Sequence, residues 1–258
     1  MALIGSITPT KPPIKDGLVF NVSSFDPDSY PGASGIRYWE CTESGIIGVN
    51  TTNTNDTPTA NLDPTTITDT DIGTVFSFSG GFSPSSGWWR FPSTVFPTGN
   101  AARTYNVWLN YDVVSGNHAF GGQDGTPTWA SHSTGTAYLF AMRSTGYEIV
   151  GHGFDQESGY SEATGHIDKW INLVVTNDAN QLKFYRNGIE IGTPIDSTSF
   201  NTPQTNFFIG RGWSKADIAG EVCRIAHWSV YDRKLEDSEV VLLHGWMMQW
   251  IKDNDHSY

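Results

Sequence analysis

Trp170-Ile171-Asn172-Leu173-Val174-Val175-Thr176, then Gln181-Leu182-Lys183-Phe184-Tyr185-Arg186-Asn187-Gly188-Ile189-Glu190-Ile191-Gly192, then Phe207-Phe208-Ile209-Gly210, and last Gly220-Glu221-Val222-Cys223-Arg224-Ile225-Ala226-His227-Trp228-Ser229-Val230-Tyr231-Asp232-Arg233-Lys234-Leu235 decide the fold. Leu182 and Phe184, then Ile189 and Ile191, recur with the period of two that buries one face of a sheet. Between them stands Asn187-Gly188, a pair that tolerates positive φ and so closes a two-residue hairpin without splaying its strands. The stretch therefore predicts a hairpin within a run of short strands.

The N-terminal half carries matching pieces: Gly17-Leu18-Val19-Phe20, Asp28-Ser29-Tyr30-Pro31-Gly32, Trp39 with Ser44-Gly45, and Phe76-Ser77-Phe78-Ser79-Gly80. With the C-terminal strand of Trp170 to Val175, the hairpin Tyr185-Arg186-Asn187-Gly188, Ile209-Gly210, and Tyr231-Asp232-Arg233-Lys234-Leu235 followed by Glu239, the order resembles the laminin G-like branch of the concanavalin A-like jelly rolls, in a phage-type single module. The resemblance spans roughly residues 17–251. It implies an all-β fold, an antiparallel jelly-roll β-sandwich with a short C-terminal helix.

Composition agrees with one such unit. The chain has 258 residues, within the reach of a single sandwich, and its 13% aromatic residues, ten Trp among them, supply bulk for two sheets to interdigitate. A formal net charge of -12 argues against a nucleic-acid partner, whose affinity comes from clustered Lys and Arg. No apolar run is long enough to span a bilayer, so membrane insertion is not expected. Two cysteines, Cys41 and Cys223, are too few for a disulfide framework, and whether they pair stays open. The opening residues hold no apolar core of signal-peptide length, so the expectation is synthesis in a reducing cytosol.

Residues 1–16 carry three prolines and no period, and read as an extended arm ahead of a domain over 17–258. From Asn50 to Asp71 the chain is almost wholly Asn, Thr, Asp and Pro, which predicts a long surface loop. Further strands are expected at Thr74 to Ser79, Trp88 to Phe91, Tyr105 to Asn110, Asn117 to Phe120, Ala137 to Arg143 and Tyr147 to His152. Val240, Leu243, Met247, Trp250 and Ile251 follow a three-and-four spacing behind Glu236-Asp237-Ser238-Glu239, which predicts one helix over 236–251. The arm, and the surplus apolar surface of Trp246, Met247, Met248 and Trp250, point to contact with other proteins or a second copy.

Glucanases of the resembled class place two carboxylates on one strand face as Glu-x-Asp-x-x-Glu, close enough to act as acid and nucleophile on one sugar. That pattern is absent; Asp155-Gln156-Glu157 with Glu162 is the nearest spacing, in a stretch that reads as an acidic loop. No His-x-x-x-His, Cys-x-x-Cys, Gly-x-Ser-x-Gly or phosphate-cradling glycine motif occurs, and His152 and His166, which bracket that loop, read as polar strand edges. The chain is therefore expected not to be an enzyme.

Two kinds of binding residue remain. Some laminin G-like modules hold one calcium ion at a loop rim through an Asp and backbone carbonyls, and Asp124, Asp155 and Glu157 are the candidates this resemblance implies. Trp88, Trp89, Trp129 and Trp213 stand next to turn-forming residues, with Tyr160 in the acidic stretch, and a ring exposed at a rim would give a sugar an apolar platform. The adjacent pair Trp88-Trp89 cannot both serve, because one ring must face inward. Three functions compete: a non-catalytic structural or adhesion component of a viral particle, such as a capsid decoration or tail-associated protein; a carbohydrate-binding module; and, last, a glycosidase or polysaccharide lyase. The first rests on the resemblance to signal-less single modules of tailed phages and implies a protein made in the host cytoplasm and carried on the virion, with other virion proteins or a glycan as partner.

Overall fold

A computed structural model of the chain describes residues 11–30, 38–51, 65–78, 88–92, 94–112, 118–123, 136–143, 146–151, 154–157, 166–210 and 223–253. In chain order the elements are β1 (Leu18–Ser23), β2 (Tyr38–Glu40), β3 (Ile47–Thr51), β4 (Thr65–Asp69), β5 (Gly73–Phe78), β6 (Trp88–Phe91), β7 (Arg103–Tyr111), β8 (His118–Gln123), β9 (Tyr138–Arg143), β10 (Gly146–Gly151), β11 (Phe154–Glu157), β12 (Ile171–Asn177), β13 (Gln181–Arg186), β14 (Ile189–Asp196), β15 (Phe207–Ile209), β16 (Cys223–Tyr231) and α1 (Asp237–Asp253). Among the described residues these form two antiparallel sheets of eight strands each. The first runs β14-β13-β12-β7-β16-β5-β4 with β1 added on β16, and the second runs β11-β10-β9-β8-β15-β6-β3-β2.

The expected hairpin is in place, with Asn187 at φ 51° and Gly188 at φ 78°, both in the left-handed region such a turn requires. Gly210, the glycine of Ile209-Gly210, sits at φ 81°, and a Cβ there would lie 2.1 Å from the Phe78 ring, so only glycine fits.

Between the sheets, alternate residues of each strand interlock. From the first sheet come Phe20, Tyr105, Val107, Leu109, Leu173, Phe184 and Trp228, and from the second Trp39, Trp89, Phe91, Phe120, Phe140 and Phe207, all buried. Phe96 and Phe207 stack at 4.6 Å and Phe20 meets Phe91 edge-on at 4.8 Å.

The opposite face of the first sheet is covered by α1. Val240, Leu243, Trp246, Met247, Trp250 and Ile251 are buried on the helix, and they meet Trp108, Trp170, Val174, Tyr185, Ala226 and Tyr231. Glu239 anchors the helix start: its carboxylate takes both Arg233 Nη atoms at 2.7 and 2.8 Å and accepts the Glu236 N–H at 2.9 Å, half of a capping box.

Four expectations are corrected. Residues 11–16 are not a free arm, because Ile14 is buried against Tyr231, Val240 and Leu243 and its carbonyl accepts the Tyr231 hydroxyl at 3.3 Å. Trp246, Met247 and Trp250 are absorbed by the face of the first sheet, and Met248 packs partly buried against the same cluster, so these side chains are not a free apolar surplus. The polar stretch Asn50 to Asp71 is not all loop: Thr65–Asp69 form the edge strand β4, paired to β5. Asp155, Gln156 and Glu157, expected in a loop, lie in β11, paired to β10 at the edge of the second sheet. Cys41 and Cys223 are free and buried.

Candidate functional site

Trp88 and Trp89 follow the alternation of β6, with Trp89 in the inter-sheet layer and Trp88 on the other face. Neither is a rim platform. Their exposures are 8% and 1%, and a sugar needs an open ring face. Trp129, Trp213, Tyr160 and Asp124 lie outside the described residues, as do the side chains of Asp155 and Glu157. No three His, Cys, Asp or Glu side chains are grouped so as to hold a metal ion among the described residues, and no described helix is long and apolar enough to cross a membrane.

Three polar constellations were not foreseen in the sequence. The first spans the two sheets at the start of β7. Arg103 is fully buried; its Nε donates to the Ala101 carbonyl at 3.0 Å, one Nη to Gly99 O at 2.8 Å and the other to Gln123 Oε1 at 3.2 Å. The guanidinium lies over the Tyr138 ring, 4.6 Å from its centroid. Gln123 is held from three sides, since Oε1 also accepts the Tyr105 hydroxyl at 2.8 Å and Nε2 donates to Pro97 O at 3.0 Å. This cluster fixes the root from which the chain continues into Asp124, and it ties residues 97–101 to the same end of the sandwich.

The second constellation gathers three carboxylates on one cation. Arg224 pairs with Asp69 at 3.1 Å, Asp112 at 3.0 Å and Asp168 at 3.7 Å, and donates to Asn110 Oδ1 at 2.8 Å. The other Asp69 oxygen accepts the N–H groups of Asp71 and Ile72 and the Trp170 indole at 3.0 Å. Both carboxylate oxygens of Asp69 are thus engaged, and its work is to pin the β4–β5 turn to the outer face of the first sheet.

The third is a hydroxyl–imidazole pair. Ser23 Oγ and His227 Nδ1 are 2.6 Å apart on adjacent strands β1 and β16, and both side chains are fully buried beneath α1. Burial, with the Lys15 charge as a smaller contribution, pushes the His227 imidazole down to about 3, so the ring is neutral at physiological pH. Burial likewise pushes the His244 imidazole down, and pushes the Cys223 thiol and the Tyr105, Tyr111 and Tyr138 phenols up.

The architecture has known counterparts. Domain 4 of AbnA, a GH43 extracellular arabinanase from Geobacillus stearothermophilus solved with arabinotriose, aligns with a TM-score of 0.59 at 16% identity over 89% of this chain and 100% of that one. The binding domain of Paraclostridial Mosquitocidal Protein 1 gives 0.59 at 10% identity over 88% of this chain and 52% of that one. Trypanosoma rangeli sialidase in complex with sialic acid gives 0.58 at 17% identity, over 96% of this chain but 37% of the sialidase. The chain thus matches a domain-sized part of the larger two, and at these identities the likeness is one of fold. No curated protein matches the chain. The model of the laminin G type described as the concanavalin A-like lectin/glucanases superfamily matches residues 83–241, more than half of the sequence, and the chain belongs to that family.

Proposed function

We propose that this protein is a non-catalytic recognition or adhesion module whose ligand class is carbohydrate. The observation that carries the reading is the commitment of the polar groups among the described residues. There the carboxylates that gather at one point, Asp69, Asp112 and Asp168, share a single guanidinium, and the Ser23–His227 pair is sealed under a helix. Acid–base work on a glycosidic bond needs two carboxyl groups facing one sugar with their protons free to move. The carbohydrate part is supported by the family and by fold relatives solved with arabinotriose and with sialic acid. Display on a virus particle is the setting in which we place it, on the strength of its likeness to single laminin G-like modules of tailed phages.

A glycan array probed with the intact chain and with Trp129→Ala and Trp213→Ala tests the ligand class. Retention of the intact chain at a dissociation constant of about 1 mM or tighter, weakened about tenfold or more in one variant whose unfolding midpoint is unchanged, is the expected result. No retention on any glycan would sink it. Mass spectrometry of purified particles tests the setting, with the chain expected among the virion proteins.

A further inference from the structure

Helix α1 rests on a layer that contains proton acceptors. Across β12, β7 and β16, one rung of the first sheet places Asn172, Trp108 and His227 side by side, with Ser23 of β1 next in line, and all four are buried. A β-bulge between Ile225 and His227 adds Ala226 to the strand. The bulge shifts the alternation, so that His227 faces the helix and Trp228 faces the inter-sheet core. The His227 ring stacks with Phe25 at 6.3 Å and meets Trp246 of the helix edge-on at 5.2 Å. From the helix itself, His244 lies parallel to Trp108, 5.6 Å away with 4° between planes. His227 Nε2 and His244 Nδ1 are buried with no hydrogen-bond partner among the described residues.

We propose that α1 is an acid-released latch: protonation of His227 and His244 in mild acid lifts the C-terminal helix from the outer face of the first sheet while the two sheets stay packed. A buried imidazolium needs a counter-charge or an acceptor for each ring N–H, and here Ser23 Oγ serves only His227 Nδ1, while His227 Nε2 and His244 Nδ1 have no hydrogen-bond partner among the described residues. The charged groups of every element around the two rings are engaged elsewhere or have the wrong sign. Lys15 opposes a second positive charge at His227. Asp26, beyond Phe25, accepts the Asp28 N–H. On β16, Arg224 is held by Asp69, Asp112 and Asp168. On the helix, Asp237 binds the Tyr185 hydroxyl and Lys183, Glu239 binds Arg233, and Asp253 accepts from Gln249. In the β13–β14 turn, Gly188 lies against His244.

The sign follows from linkage. A histidine whose folded value lies below its unfolded value takes up a proton on release, so the seated helix loses stability as the pH falls below about 6.5, and continues to lose it until the folded value is reached. With the folded value of His227 near 3, that residue alone raises the opening constant of α1 by about 100-fold between pH 7.5 and 4.5. His244 acts in the same direction. Asp237 and Glu239 are held below the usual carboxylate range by the Tyr185 hydroxyl and by Arg233. Their contribution is present above about pH 4 and is lost only below it, which leaves the interval above to the imidazoles. Release uncovers Trp108, Trp170, Trp246, Met247 and Trp250, a connected apolar surface.

Hydrogen exchange of the full chain, followed by mass spectrometry from pH 7.5 to 4.5 and corrected for the intrinsic exchange rate, tests the latch. The expected result is loss of protection in peptides covering 237–253 by about 100-fold or more, with β7 and β12 changed by less than about threefold. The double variant His227→Gln, His244→Gln is expected to flatten the helix response. Should that variant fail to fold, His244→Gln alone decides, because it removes one of the two imidazoles at the less enclosed position and is expected to weaken the pH dependence of the helix. A helix response that is flat over this range, that coincides with loss of the sheets, or that is untouched in His244→Gln overturns the proposal.

Discussion

Two layers hold this molecule together, and they differ in how they respond to their surroundings. Between the sheets, aromatic rings interlock and the buried ionisable groups among the described residues are phenols, the thiols of Cys41 and Cys223, and Arg103. Burial pushes Tyr105, Tyr111, Tyr138 and Cys223 up, so none of these four changes charge between about pH 4 and 8. Tyr111 and Tyr147 even bridge the layer hydroxyl to hydroxyl at 3.0 Å. Between the first sheet and α1, the packing is also dense, yet it encloses His227 and His244 as neutral rings. One layer is held by contacts that titration near neutral pH does not reach, whereas the other holds on condition that no proton arrives. The sandwich can therefore stay constant while the C-terminal helix makes one of its faces conditional.

The comparison breaks most visibly at Phe207, which stacks on Phe96 and meets Phe20, Tyr105 and Trp228. Phe207→Ala is expected to cost about 3–5 kcal/mol in urea unfolding, with both sheets lost in one transition. A loss below about 1 kcal/mol would show that the inter-sheet layer is not the dominant one. Next in size is Trp250→Ala, since Trp250 is buried on the helix and packs 4.2 Å from Phe25. Its expected cost of about 2–3 kcal/mol falls on α1, read as faster exchange in 237–253 with an unchanged sheet signal in circular dichroism. If the sheets weaken equally, the two layers are one cooperative unit. The smallest effect sharpens the contrast from the helix start. Glu239→Gln removes a charged partner of Arg233 and is expected to cost about 1–1.5 kcal/mol at pH 7. Glu239 is held below its ordinary value by Arg233. Its share is thus present at neutral pH and fades as the pH falls below about 4, so wild type and variant converge in stability there.

Much of the inter-sheet layer could be read from the chain, because it is written in local pattern. Asn187-Gly188 marked its hairpin, the alternation of β13 marked its buried face, and Val240 to Ile251 marked the helix, whose observed span is Asp237–Asp253. Two edge strands escaped notice. Thr65–Asp69 is written in Thr and Asp, and Phe154–Glu157 is written in polar residues beside glycine, so neither has an apolar period, and pairing to a neighbour alone makes each a strand. The bulge at Ala226 left a trace that could have been seen: Ile225 and Trp228, both core residues, stand three apart where strict alternation would space them by two. The polar constellations had no such trace. Ser23 meets His227 across 204 positions and Arg224 meets Asp69 across 155, contacts that exist only once the strand order is known. Trp88 and Trp89 were misleading for the opposite reason. Trp88 beside a turn looks the same in sequence whether its ring is open or covered, and the fold covers it.

The central claim, recognition of a glycan without chemistry on it, is tested most directly by incubating the full chain with a panel of immobilised polysaccharides and counting, in the same wells, protein retained and reducing ends released. Retention on at least one glycan with reducing ends at the level of protein-free wells is the predicted result. New reducing ends, or no retention on any glycan, would contradict it.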